Sequence, residues 1–138
     1  MPAEVTSLPV EFLFTLHAEL ATPMVAAGGP RGTRVVVGVT GGRVTGPKVN
    51  GAVVAPGGDW LYLGADGSMN LDVRVQIVTD DGATILMSYL GRGAGGAIRT
   101  APYFETGDER YTWLNGVQGI ATGTVGENSV TYEVYRVL

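Results

Sequence analysis

From Asn70 to Thr79 the chain alternates strictly, with Leu71, Val73, Val75 and Ile77 on one side and Asp72, Arg74 and Gln76 on the other. A period of two belongs to a strand with unlike faces. Asp80-Asp81-Gly82 follows, a tight-turn signal, so Ala83 to Leu90 is expected to return antiparallel beside it. This hairpin sits at the end of a longer stretch, Gly46 to Gly82, which reads as three extended segments joined by glycine turns.

The same grammar fills the rest of the chain. Its 22 glycines fall between short β-branched and aromatic runs rather than in one linker, which implies many strands and tight turns. Pro9 to Thr22 alternates as a long strand. After an AAGGPRG loop come Thr33 to Val39 and, across a Gly41-Gly42 hairpin turn, Arg43 to Thr45. Lys48 to Val54 and Asp59 to Leu63 flank a Pro56-Gly57-Gly58 turn, and Asp66-Gly67 turns into the Asn70 strand. Ala97 to Thr106 is extended but contains Pro102, which belongs at an edge or bend. Asp108 to Gly116 alone carries helix punctuation, with Asp108 as N-cap and Asn115-Gly116 as stop, enough for a turn or two. Val117 to Val125 and Ser129 to Val137 are the last strands. About ten short strands in sequential hairpins favour an all-β, closed, up-and-down antiparallel barrel over the alternative, a two-sheet sandwich. At 138 residues, one domain over 1–138 suffices.

Composition removes whole classes of function. Without cysteine there are no thiolate nucleophiles, disulfides or cysteine metal sites, and a single histidine forbids a multi-histidine one, so neither metal nor cofactor is expected. The net charge of −4, with nine scattered Lys and Arg, supplies no phosphate-tracking stripe, so nucleic acid is not an expected partner. No apolar run approaches a membrane span, and the first residues lack the charge and apolar core of a leader, so the expected location is cytoplasmic. A high mean hydropathy suggests homo-oligomers. Gly91-x-Gly93-x-x-Gly96 spells a dinucleotide fingerprint, yet no helix follows to receive a pyrophosphate.

Four charged residues stand out: Asp59, Asp72, Arg74 and Glu105. Enclosing such charges costs several kcal/mol per ion unless they pair, which makes Arg74 with Asp72 or Glu105 the natural arrangement. In a confined pocket a carboxyl is pushed up into the range of proton transfer, and a guanidinium holds an anionic or enolate oxygen. The bland alternative is a register-fixing ion network or a wet surface. Trp60, Tyr103, Tyr111 and Trp113 have the apolar bodies and polar tips of pocket linings, though core packing explains them equally well. His17, on the mixed face of the first strand, is either solvent-facing or a pocket acid–base group. Asn50 either binds a ligand carbonyl or bonds to backbone at a bulge.

The blocks GPKVNGAVVAPGGDW, LDVRVQIVTDDGATI and APYFETGDERYTWLNG together resemble the DUF3237 family, also called UPF0311. Gly46-Pro47-Lys48-x-Asn50-Gly51, Gly58-Asp59-Trp60, Leu71-Asp72-x-Arg74, Thr79-Asp80-Asp81-Gly82, Phe104-Glu105-Thr106-Gly107 and Tyr111-x-Trp113-Leu114-Asn115 follow that family's order and spacing over residues 9 to 137. The resemblance implies a closed antiparallel β-barrel and names no reaction. The chain departs from the pattern in a shorter GRGAGGAIR connection and in Tyr103, where an arginine is common.

These readings converge on a small-molecule-binding barrel. The expected function is cofactor-independent acid–base catalysis of an isomerase, cyclase, lyase or lactone-opening type, on a small, partly apolar carbonyl-containing or aromatic compound. Asp72, Arg74 and Glu105 are the expected catalytic group, with Asn50, Asp59, Trp60, Tyr103, Tyr111, Trp113 and His17 around the ligand. The boldest expectation is that Asp72 and Arg74 point into a hollow barrel, an inversion of the ordinary apolar-in rule. A carrier of a small hydrophobic ligand and a purely structural protein are the alternatives.

Overall fold

A computed structural model describes residue 4 and residues 6–138. Ten strands and one short helix follow in the order β1 (Val10–Leu20), β2 (Met24–Gly29), β3 (Gly32–Thr45), β4 (Gly51–Leu63), β5 (Met69–Thr79), β6 (Thr84–Ala94), β7 (Ala97–Thr100), β8 (Tyr103–Glu105), η1 (Thr112–Gly116), β9 (Gly119–Gly126) and β10 (Ser129–Val137). The strands form one antiparallel sheet ordered β1-β10-β9-β7-β6-β5-β4-β3, which closes because β1 also pairs with β3. Two strands lie off this ring: β2 pairs with β3, and β8 pairs with β6. A barrel rather than a sandwich results, and closure leaves its ring without a free edge.

Three turn expectations fail, each because a strand bulges where the sequence suggests it should end. Gly41 and Gly42 lie inside β3, where the register against β4 shifts between Gly38 and Arg43. Inward-facing positions change there from odd, Val37 and Val39, to even, Val44. Gly42 has φ +144°, and a Cβ on it would overlap the carbonyl oxygen of His17, so the seam between β1 and β3 closes only over glycine. Pro56 to Gly58 likewise lies inside β4, where residues 55–57 bulge out opposite Val75 alone, and Gln76 Nε2 donates to the Pro56 carbonyl at 2.8 Å. The third failure is AAGGPRG, whose first residues are the end of β2. Pro102, by contrast, breaks β7 from β8 as a bend, and its carbonyl accepts from Gly119 N at 2.8 Å.

Along its axis the barrel divides into two halves. One is packed solid by Phe14, Leu16, Val44, Ile77, Ile85, Met87, Leu114 and Val134, all nearly inaccessible. Leu114 is supplied by η1, a 3-10 helix that the sequence places correctly but caps wrongly: Tyr111 occupies the N-cap without a side-chain bond, and Asp108 instead accepts from Arg110 N in the turn before it. Tyr111 is buried here, its hydroxyl donating to Asp81 at 2.8 and 2.9 Å. Thr79 Oγ1 donates to the same carboxylate, and these bonds hold Asp81 below the usual carboxylate range. The other half of the barrel is hollow.

Candidate functional site

The cavity in the open half has a volume of about 180 Å³. Its walls come from alternate residues of seven strands: Ala18 and Leu20, Val37 and Val39, Asp59 and Leu61, Met69 with Leu71 and Val73, Tyr89, Val125, Val130 and Tyr132; β7 adds Ile98. Leu20, Leu61 and Met69 are half-buried and Val125 is 52% exposed, which marks the mouth. Two inward positions beside the lining are glycine, and neighbouring side chains occupy the room that a Cβ would take there. A Cβ on Gly123 would sit 2.5 Å from Tyr132 Cε1, and one on Gly93 would sit 3.1 Å from Met69 Sδ.

Asp59 is the one carboxyl on this wall. It lies in register between Val37 of β3 and Val73 of β5, on the same face as Leu61, because the β4 bulge inserts an even number of residues and leaves the alternation intact. Its Oδ1 accepts from the backbone N–H of Asp72 at 3.0 Å. Burial raises its pKa to about 6, an effect that the Asp72 N–H opposes and the like charge of Asp72 reinforces. Tyr89 and Tyr132 line the cavity and pack against each other, ring centroids 5.3 Å apart and nearly edge to face. Burial lifts the Tyr132 phenol to about 12 and that of Tyr89 well above its ordinary value, and the Asp59 charge pushes both the same way. Both phenols therefore keep their protons throughout the neutral range.

The remaining expected site residues lie elsewhere. Asp72, Arg74 and Glu105 point outward and are exposed, so the expectation that they line the barrel is corrected. The ordinary rule holds: the same strand offers Leu71, Val73, Val75 and Ile77 to the interior, each at most 4% exposed, and ionic groups lose far less by staying in water. No ion pair joins Arg74 to either carboxylate. Trp60 is 46% and Tyr103 58% exposed, both on outer faces, because each neighbours an inward residue, Asp59 and Phe104. His17 is exposed on β1, its Nδ1 2.9 Å from Thr131 Oγ1. Trp113 is half-buried with Lys48 Nζ 5.6 Å above its ring, and Tyr111 lies at the packed end. Asn50 is a backbone clamp, its side chain accepting from Gly46 N at 3.1 Å and donating to Gly46 O at 2.9 Å. Of the expected set, then, only Asp59 reaches the cavity.

Tyr89 and Tyr132 were not anticipated. Their signal is present: each stands in the apolar register of its strand, after Ile85 and Met87 in β6 and between Val130 and Val134 in β10. Asp59 gives the same signal in reverse, a carboxylate in phase with Leu61. Among the described residues no cluster of His, Asp and Glu has the geometry to hold a metal ion, and no helix is long and apolar enough to cross a membrane.

Comparison with known proteins places this geometry. A UPF0311 protein of Rhodopseudomonas palustris is 25% identical over 150 residues, covering 96% of this chain and 98% of its own. The crystal structure of a conserved protein of unknown function from that organism superposes with a TM-score of 0.90 at 26% identity, covering 97% of this chain and all of the other. The hydroalkoxylation enzyme phnH of Penicillium herquei is 32% identical over 114 residues, 82% of this chain and 72% of that one. A crystal structure of an enzyme from the same fungus superposes over all of both chains with a TM-score of 0.75 at 27% identity. The model of the family described as "protein of unknown function (DUF3237)" matches residues 8–97 and 92–137, and the chain therefore belongs to the DUF3237 family.

Proposed function

We propose that the barrel is a cofactor-independent acid–base enzyme in which Asp59 transfers a proton to and from a small, mostly apolar substrate held against Tyr89 and Tyr132. The observation that carries this reading is a lone carboxyl in an aliphatic cavity with its pKa raised to about 6. A general acid or base works best with a pKa near the working pH, and ordinary aspartate is too acidic. A substrate that expels water from the cavity raises the value further.

The similar fungal protein, named for hydroalkoxylation, suggests the form of the step. With Oδ1 engaged by the Asp72 N–H, the proton sits on Oδ2. It passes to one carbon of a C=C bond; the substrate's own hydroxyl oxygen bonds to the other carbon as the π bond breaks; and the hydroxyl proton returns to the carboxylate. Atoms and charge balance, and Asp59 ends as it began. The phenol oxygens of Tyr89 and Tyr132 orient the substrate by accepting from its hydroxyl, which leaves the oxygen lone pair free to attack the carbon.

The test is to incubate the protein with 2-allylphenol in D2O and follow cyclic ether and deuterium by mass spectrometry. Cyclised product carrying one carbon-bound deuterium, lost in Asp59→Asn, is the expected result. Binding without turnover or deuterium uptake, equal in wild type and variant, would favour a carrier, the second reading that the aliphatic lining supports.

A further inference from the structure

Charge and size on the cavity wall define what can enter. Lys, Arg and His are all absent from its lining, so nothing pairs with a carboxylate, phosphate or sulfate on a ligand. An anion would instead meet the Asp59 carboxyl in a poorly solvated space, where like charges repel and neither is repaid for lost water. A protonated amine fails for another reason: it would pair with Asp59 and hold it ionised, removing the proton that the reaction needs.

Size follows from the volume. A dry, apolar cavity of roughly 150 Å³ accepts benzene. At about 180 Å³ this one holds a single six-membered ring with a few further atoms. Ile98, Val73 and Val39 bound it laterally and are nearly inaccessible, so the walls cannot yield without disturbing the core. Met69 is different. It is half-buried at the mouth, its unbranched side chain lies over Gly93 where a Cβ would stand 3.1 Å from its Sδ, and thioethers repack readily.

We infer that the substrate is an uncharged, single-ring hydroxyl compound and that Met69 sets its upper size. This rests on Asp59 acting as the acid. Phosphorylated, carboxylated and thioester-activated molecules are excluded, so the substrate reaches this enzyme only after any such group has been removed.

The test uses three matched probes, 4-ethylbenzyl alcohol, 4-ethylbenzoate and 4-ethylbenzylammonium, with 9-anthracenemethanol for size, titrated calorimetrically into the full chain at pH 7. The alcohol is expected to bind and the carboxylate at least about 100-fold more weakly, given several kcal/mol for an unpaired charge, whereas the ammonium is expected to bind by pairing with Asp59 and to inhibit 2-allylphenol cyclisation. The tricyclic alcohol should bind wild type at least about 10-fold more weakly than the single ring, and Met69→Ala should narrow that gap. Gly93→Ala, whose Cβ would stand 3.1 Å from Met69 Sδ and so displace it, should also change the gap and serves if Met69→Ala folds poorly. A carboxylate binding as tightly as the alcohol, an ammonium that binds without inhibiting cyclisation, or a size preference that neither variant moves, would overturn the inference. Failure of the catalytic reading looks different: the alcohol binds with the expected charge preference, yet 2-allylphenol gains no deuterium.

Discussion

The backbone N–H of Asp72 donates to Oδ1 of Asp59 at 3.0 Å, so two aspartates on adjacent strands share one contact while their side chains occupy opposite sides of the barrel wall. The Asp72 carboxyl is in water; that of Asp59 is enclosed by the cavity lining, where burial pushes it up to about 6. The difference is a matter of strand phase. Asp59 shares the phase of Leu61, and Asp72 opposes that of Leu71 and Val73.

Asp59 should limit stability above pH 6. Its folded value lies above the unfolded one, so folding favours the neutral form. Below about pH 4 both states hold the proton and the site costs nothing; between pH 4 and 6 the unfolded chain releases it first and stability falls; above pH 6 the full penalty stands. Asp59→Asn keeps the bond from Asp72 N–H and removes the charge, so urea unfolding should show the variant more stable at pH 8, by on the order of 2–3 kcal/mol before solvent screening, and nearly unchanged at pH 4.

Turnover should fall as pH rises through about 6 in the free enzyme, because the acid form of Asp59 is consumed. The kcat/KM profile for 2-allylphenol cyclisation measures this. Asp72→Asn removes a like charge that raises the Asp59 pKa, and should move the limb to lower pH. A limb that stays in place would show that another group controls it.

Arg74→Ala should change stability by less than about 0.5 kcal/mol and leave turnover intact, since the side chain is exposed and unpaired. A large loss of either would restore Arg74 to the site.

Leu114→Ala should cost about 2–5 kcal/mol, because Leu114 is fully buried in the packed half. Probe affinity at a temperature where the variant remains folded should be unchanged, as the cavity lies in the other half. Denaturant melts and calorimetry check the two parts separately.

Much of the fold was legible locally. The alternation of Asn70 to Thr79, the Asp80-Asp81-Gly82 turn and the spacing of short β-branched runs require antiparallel strands whatever surrounds them, since a strand's two faces are set by its own covalent geometry. Sequential hairpins with edges to cover favoured closure, and the family blocks agreed. Local signals also gave the 3-10 turn that delivers Leu114, and the ambiguity at Asn50 was a real one, resolved as a backbone clamp.

Which face of each strand became the interior, and whether that interior was full, belonged to the tertiary structure. Gly41-Gly42 and Pro56-Gly57-Gly58 look like turns in sequence and become bulges only because neighbouring strands continue past them. The β4 bulge adds two residues, so Asp59 keeps the inward phase of Val53. The pKa of that carboxyl is likewise a property of surroundings: Val37, Val73, Tyr89 and Tyr132 come from four different strands and meet around it only when the sheet closes. Sequence specifies the strand pattern because it depends on neighbours along the chain, whereas burial and desolvation depend on neighbours through space.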